Sequence, residues 1–226
     1  MGLWTPWRWR FPRRFVLLLV VVFLIYVGYH LRPATHGGVP TPPPLSAEEQ
    51  AALRGREIAL LSGHWGFDPG AVCDDGLSEV RVNRRLTQTT AQILRDAGAH
   101  PLLLKEYDPR LRGLRADAFL SIHSDSCISR SGFKIARWAR SPHPQRDDRL
   151  VRCLRYNYWV TTGLPVDEAL VTDDMRFYHA FSLLDPSTPA AIIEAGYLGG
   201  DRDLLTRRVH LPALGIARGL ACFFQP

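Results

Sequence analysis

No acidic residue occurs in the first 32 positions, whereas five arginines do: Arg8, Arg10, Arg13, Arg14 and Arg32. The chain of 226 residues carries 28 basic and 22 acidic side chains, so setting those five aside leaves 23 against 22. The net charge of +6 therefore belongs to the N-terminus, and the remainder is close to neutral. In that remainder no stripe of basic residues with interleaved aromatics argues for a nucleic-acid partner. No internal repeat is present, which excludes a repeat architecture. Cysteine is scarce, with four residues, enough for two disulfides at most. Hydrophobic residues make up 46% of the chain, an ordinary fraction that promises a real core. The length accommodates one medium domain with an appendage.

Long apolar runs are missing as well, with one exception. Residues 15–31 (FVLLLVVVFLIYVGYHL) form an uncharged stretch of 17 residues, near the lower limit for a membrane-spanning helix. Trp4, Trp7 and Trp9 precede it, and Tyr26 and Tyr29 sit near its far end, as interfacial aromatics would. The crowd of arginines predicts that residues 1–14 stay cytoplasmic and that everything after the span is exported. A cleaved signal peptide is the alternative, leaving the domain secreted, but no small-residue cleavage site follows. Residues 32–45 are rich in proline and glycine and read as a stiff spacer between span and domain. The domain is expected over 46–226, opening with a capping box at Ser46 and Glu49.

From residue 58 onward, short apolar runs alternate with helical stretches, the pattern of an α/β sheet. Strands are predicted at 58–61, 101–104, 118–122, 133–138 and 190–194, and helices at 78–97, 146–160, 201–205 and 211–223. The arginine-rich face of the helix at 146–160 reads as a solvated surface. In open α/β sheets, sites gather at the carboxyl ends of strands. His64 follows the first strand, His123 ends the third, and Glu194 ends the last. Glu79 opens the helix that follows the first strand. Two imidazoles and a carboxylate suit a catalytic zinc with an open position, and the second carboxylate suits a general base. If the ends of the first and third strands converge, Cys73 and Cys127 are the natural disulfide pair. Cys153 and Cys222 sit in apolar helical contexts and read as buried free thiols.

These residues fall in four consecutive motifs. They are Gly63-His64-Trp65-Gly66-Phe67-Asp68-Pro69-Gly70-Ala71, Gly76-Leu77-Ser78-Glu79, Ser121-Ile122-His123-Ser124-Asp125, and Pro189 through Tyr197 (PAAIIEAGY). In this order they resemble the zinc-dependent N-acetylmuramoyl-L-alanine amidases of bacterial cell-wall remodelling (the Amidase_3 type). The resemblance runs from about residue 57 to about residue 224. It implies an open, mostly parallel twisted sheet flanked by helices. It implies Zn²⁺ held by His64, Glu79 and His123, with Glu194 as catalytic carboxylate. The reaction implied is hydrolysis of the amide between the lactyl group of N-acetylmuramic acid and L-alanine of the stem peptide. Peptidoglycan is thus the expected partner, with the membrane held through the N-terminal helix. An activator protein is a further partner that such enzymes often need. Asp68-Pro69-Gly70 is assigned a turn.

Several positions depart from the family pattern. Trp65 replaces the glycine that directly follows the first motif's histidine, where it either lines the substrate cleft or caps the core. Asp125 replaces an asparagine, and Gly200 another. Arg176 stands where relatives often carry an arginine near the substrate; contact with a stem-peptide carboxylate and a surface ion pair are its two readings. His179 reads as structural. Two other classes stay open: a zinc hydrolase acting on another envelope amide, and a non-catalytic wall-binding module. The presence of Glu194 speaks against the module, which has no use for a base there.

Overall fold

The apolar run at 58–61 becomes the centre of β1 (Glu57–Ser62), in which every residue after Glu57 is buried. A strand covered on both faces belongs in the middle of a parallel sheet, and β1 pairs in parallel with β2 (His100–Leu104) and β3 (Ala118–Asp125). β3 in turn pairs in parallel with β5 (Ala190–Tyr197). The short β4 (Lys134–Ala136) closes the edge antiparallel to β5, giving five strands in the order β2-β1-β3-β5-β4. The sheet is thus mostly parallel, as expected, with one antiparallel edge.

The computed structural model describes residues 42–226. The basic N-terminus, the span read at 15–31 and the spacer up to residue 41 lie outside the described residues. Among the described residues no helix is long and apolar enough to cross a membrane. Leu45, read as the end of the spacer, is buried in the core, and the Pro43 carbonyl accepts a hydrogen bond from Arg218 at 2.8 Å. The packed body therefore begins inside the proline-rich stretch.

Alternation along the strands sorts side chains onto two faces. Ile58, Leu60, Leu120 and Ile193 point into one apolar cluster, where α1 (Ala47–Leu53), α2 (Glu79–Asp96), α3 (Pro144–Thr162) and α6 (His210–Phe224) contribute. Ala59, Leu61, Phe119 and Ile192 point the other way, onto a second cluster built by short segments. These are the 3₁₀ turn Pro109–Leu111, α4 (Asp173–Arg176) and the 3₁₀ turn His179–Leu183. α5 (Arg202–Thr206) links β5 to α6. Ser46 and Glu49 form the expected capping box on α1, with bonds of 3.1 and 2.6 Å. In α2 the buried Val82, Leu86, Thr90 and Leu94 recur at helical spacing, and Gly98 follows the helix with φ +84°.

α3 and α6 approach very closely. A Cβ on Gly219 would stand 2.6 Å from Leu154 Cα, and one on Gly215 would stand 3.1 Å from Tyr158 Cα. Cys222 continues the same face and is bonded to Cys153, with 5.6 Å between Cα atoms. This corrects the reading of Cys153 and Cys222 as free thiols. Periodicity places both on buried helix faces but says nothing about which helices touch. Cys73 and Cys127 are also bonded, with a Cα separation of 5.5 Å, and no cysteine among the described residues is free.

Candidate metal centre

β1 delivers His64 through a sharp bend. Gly63 has to lack a side chain, because a Cβ there would come within 2.5 Å of His123 Nδ1 and Nε2. His64 itself adopts φ +65°, a left-handed conformation that costs a non-glycine residue on the order of 1–2 kcal/mol. Two contacts hold it there. Its backbone N–H donates to Glu106 Oε2 at 2.6 Å, and its ring Nδ1 lies 2.6 Å from Asp68 Oδ1. Asp68 also accepts from Gly70 N at 2.8 Å. The turn role read for Asp68 is therefore only half of what it does, since it also fixes the imidazole with Nε2 left free as a donor atom.

Glu79 is aimed by the loop before α2. Ser78 occupies the N-cap without a side-chain bond, and the first helix amides are met instead by Ala71 O (2.8 Å, from Glu79 N) and Pro69 O (3.1 Å, from Val80 N). Gly70, at φ +62°, leaves no room for a Cβ, which would stand 2.5 Å from Glu79 Oε2. Glu79 Oε1 lies 3.1 Å from His64 Nε2 and 3.2 Å from His123 Nδ1, and accepts from Asn83 Nδ2 at 3.1 Å. One donor atom each from His64, Glu79 and His123 lie within 4.8 Å of one another. Two imidazole nitrogens converging on one carboxylate oxygen form a donor set that fits a divalent cation such as zinc.

The site sits on the face of the sheet covered by the short segments. His123 stands opposite Glu194 in the β3–β5 register, and Glu194 stands opposite Lys134 in the β5–β4 register. The row across the three strands thus reads His, Glu, Lys. Part of Glu194 is open to solvent, but its Oε2 is enclosed and has no hydrogen-bond partner. A buried acceptor without a donor is costly unless the site serves a ligand or a proton. Burial pushes the Glu194 carboxyl up to about 7, with His123 working against the shift and Glu79 and Asp125 adding to it. The hydrogen bond that His64 donates to Glu79 lifts the imidazole to about 9 against the effect of its burial. Burial opposes charge on Glu79, but bonds from His123 and His64 win and hold its carboxyl well below the usual range. A bound cation would add positive charge beside the Glu79 and Glu194 carboxyls.

Glu106 went unnoticed in the sequence. It lies two residues beyond β2, in the charged stretch KEYDPR that reads as a solvated loop. In the fold it is buried. Burial opposes its charge, but hydrogen bonds from His179 (2.8 Å) and Tyr178 Oη (2.6 Å) and the nearby His123 pull it to about 2. Tyr178 Oη also lies 3.3 Å from His123 Nε2. Glu106 and Tyr178 therefore steady His123 from behind, leaving Nδ1 toward Glu79, as Asp68 does for His64. His179 is structural in this sense, a partner of Glu106. Lys134 was missed too. It is buried and ion-paired to Asp125, which explains an aspartate where the family pattern has an amide.

Trp65 and Arg176 are not part of this cluster. The Trp65 ring is held between the Arg84 guanidinium (5.1 Å) and Lys105 Nζ (5.8 Å), over α2 and the end of β2. Arg176 is exposed and lines a cavity of about 590 Å³ with Ile135, Arg137, Asp148 and Arg155, a cavity that none of the clustered residues lines. Gly200 is explained by contact. A Cβ there would stand 2.5 Å from the Arg130 carbonyl carbon, so the loop carrying Cys127 packs directly on it.

The site can be set beside known proteins. The family model described as N-acetylmuramoyl-L-alanine amidase, Amidase_3, matches residues 58–208. Probable cell wall amidases LytH of Staphylococcus saprophyticus and Staphylococcus epidermidis are 25% and 24% identical over 187 and 209 residues, covering 76% and 88% of this chain. The chain spans 60% and 66% of the lengths of those two relatives. Solved structures share the fold. Ami1 of Mycobacterium smegmatis, an N-acetylmuramyl-L-alanine amidase, superposes with a TM-score of 0.59 at 16% identity, covering 76% of this chain and 98% of its own. The amidase AmiC2 of Nostoc punctiforme gives 0.55 at 24% identity, covering 73% and 94%. The matched span carries β1, β3, β5 and every residue of the His64–Glu79–His123–Glu194 cluster, and the chain belongs to the Amidase_3 family of N-acetylmuramoyl-L-alanine amidases.

Proposed function

We propose that this chain is an exported, membrane-anchored zinc amidase of peptidoglycan. It hydrolyses the amide between the lactyl group of N-acetylmuramic acid and the L-alanine of the stem peptide. The observation that carries this reading is the convergence of His64, Glu79 and His123 beside the enclosed, unpartnered Oε2 of Glu194. His64, Glu79 and His123 hold the zinc. Bound there, zinc would supply Lewis acidity toward the scissile carbonyl and a water.

Glu194 supplies the proton traffic. Its carboxylate takes a proton from the attacking water and passes it to the leaving amine of L-alanine. Burial raises the Glu194 carboxyl in the metal-free chain, and a nearby cation would draw it back toward the carboxylate that serves as base. Asp68 and the Glu106–Tyr178 pair keep the two imidazoles in the orientation that exposes one nitrogen each to the ion. Two disulfides are consistent with an oxidising compartment. Residues 15–31 then serve as the anchor, with the N-terminal arginines on the cytoplasmic side.

The test is to digest purified peptidoglycan with the full chain and analyse the fragments by mass spectrometry. The expected products are free stem peptides with new L-alanine amino termini. Glu194→Gln is expected to retain stoichiometric zinc and to lose hydrolysis by at least about a hundredfold. Cross-bridge or glycan ends would assign the site to another bond, and zinc-independent binding without products would make the domain a wall-binding module.

A further inference from the structure

Two large aromatic rings stand in solvent beside the metal centre. Phe67 is 64% exposed and Tyr107 is 57% exposed. They are not scattered. Their centroids are 4.7 Å apart in an edge-to-face arrangement, and Tyr107 stacks on His179 at 4.3 Å with planes 28° apart. The three rings come from three places: the bend after β1, the loop after β2, and the 3₁₀ turn His179–Leu183.

This group is tied to the candidate metal centre by one carboxylate. Glu106, the neighbour of Tyr107, accepts from His179 through Oε1 and from the His64 backbone through Oε2. Its own backbone N–H donates to Trp65 O at 3.1 Å. The rings are therefore held in register with His64 and do not hang on a free loop. Contiguous exposed aromatics held rigid are costly in water and mark a surface that meets a ligand.

The opposite flank of the centre has a different character. Beyond Glu194 the strand row leads to Lys134, ion-paired with Asp125. One side of the centre thus presents aromatic rings, and the other leads to an ion pair in which Lys134 is buried and Asp125 partly exposed. The amide in the proposed reaction joins a sugar to a peptide, so its two sides need different neighbours. C–H faces of a pyranose ring pack on aromatic rings, whereas charged groups favour amides and ionised peptide termini.

We infer that Phe67, Tyr107 and His179 form the saccharide subsite, on which a glycan ring of the wall polymer stacks, so that the stem peptide leaves the centre toward Lys134 and Asp125. The inference rests on the proposed peptidoglycan reading and adds to it the direction in which the substrate lies across the sheet.

The test uses the full chain carrying Glu194→Gln, so that nothing is turned over. It is titrated separately with a peptide-free N-acetylglucosamine–N-acetylmuramic acid tetrasaccharide and with free stem peptide. The tetrasaccharide is expected to bind and to shift the ring proton resonances of Phe67 and Tyr107. Phe67→Ala with Tyr107→Ala should weaken it on the order of tenfold, the weight of one or two ring contacts, while Tyr107→Phe should keep the affinity. Stem-peptide affinity should not follow the same pattern. Equal glycan affinity with and without the rings would overturn the inference, whether the patch then meets a protein partner or nothing. So would an equal loss for both probes, or ring resonances that do not move in the parent chain. That last measurement needs no ring variant, so a variant that fails to fold leaves the test intact. Hydrolysis of peptidoglycan with unaltered glycan affinity removes this inference alone. Glycan binding at the rings without amide hydrolysis removes the proposed reaction alone.

Discussion

At Gly63 a single methyl group decides whether the centre can form. A Cβ would meet the His123 ring on three of its atoms, and that ring is held by Glu79 on one side and by Tyr178 on the other. It has nowhere to move. Gly63→Ala is expected to cost about 1–3 kcal/mol of stability and at least about tenfold in zinc affinity, through the displaced ligand. Thermal unfolding and competitive metal titration check the two effects. His64 shows the complementary case, in which strain is accepted. Its left-handed backbone persists because Glu106 holds its N–H and Asp68 holds its ring. Each candidate histidine ligand thus depends on a neighbour that the spacing along the chain does not announce.

Among the elements, α2 and the α3–α6 pair do different work. α2 begins without a side-chain cap, so its first amides draw the 69–71 loop against the helix and leave Glu79 turned to the site. The Cys73–Cys127 disulfide joins that loop region to the one after His123, across 54 residues. The Cys153–Cys222 bond is remote from this chemistry and closes 69 residues between α3 and α6. Gly215 and Gly219 each cost α6 about 1 kcal/mol relative to alanine, and what offsets this is the close approach to Leu154 and Tyr158. Replacing Cys153 and Cys222 together by alanine should lower unfolding free energy by roughly 2–4 kcal/mol. Urea denaturation measures that loss, and zinc affinity measured in parallel should be retained, because neither helix carries a ligand.

For the whole molecule, the centre is a place where stability is given up for chemistry. Glu194 has a folded-state pKa of about 7, above its ordinary 4.5, because burial disfavours the carboxylate. The folded chain therefore binds this proton more tightly than the unfolded one. The contribution is fully present below about pH 4.5 and is lost as pH rises through about 7. Metal-free Glu194→Gln should accordingly match the parent at pH 4 and exceed it at pH 8, by on the order of 2–3 kcal/mol. Denaturation across that pH range reads the difference. Zinc should shrink it, since a nearby positive charge favours the carboxylate.

Local patterns determined a good part of this protein from sequence alone. The alternation of apolar runs and helical stretches predicted the strands and helices, because burial on both faces leaves a continuous apolar signature. His64, Glu79, His123 and Glu194 were legible because each stands where a strand ends or a helix begins, and the sheet brings such ends together. Tertiary structure alone decided the rest. Glu106 and Lys134 sit in stretches whose local character suggests a loop and a strand, and only the fold turns Glu106 beneath His64 and sets Lys134 opposite Glu194. Tyr178 carries no local signal at all. Trp65 stands beside a candidate ligand in sequence, yet its ring lies against Arg84 and Lys105 from α2 and the end of β2. Cys153 and Cys222 met because two glycines on α6 let the helices touch. Spacing along a chain reports which face a residue takes; which faces meet depends on packing between elements far apart in sequence.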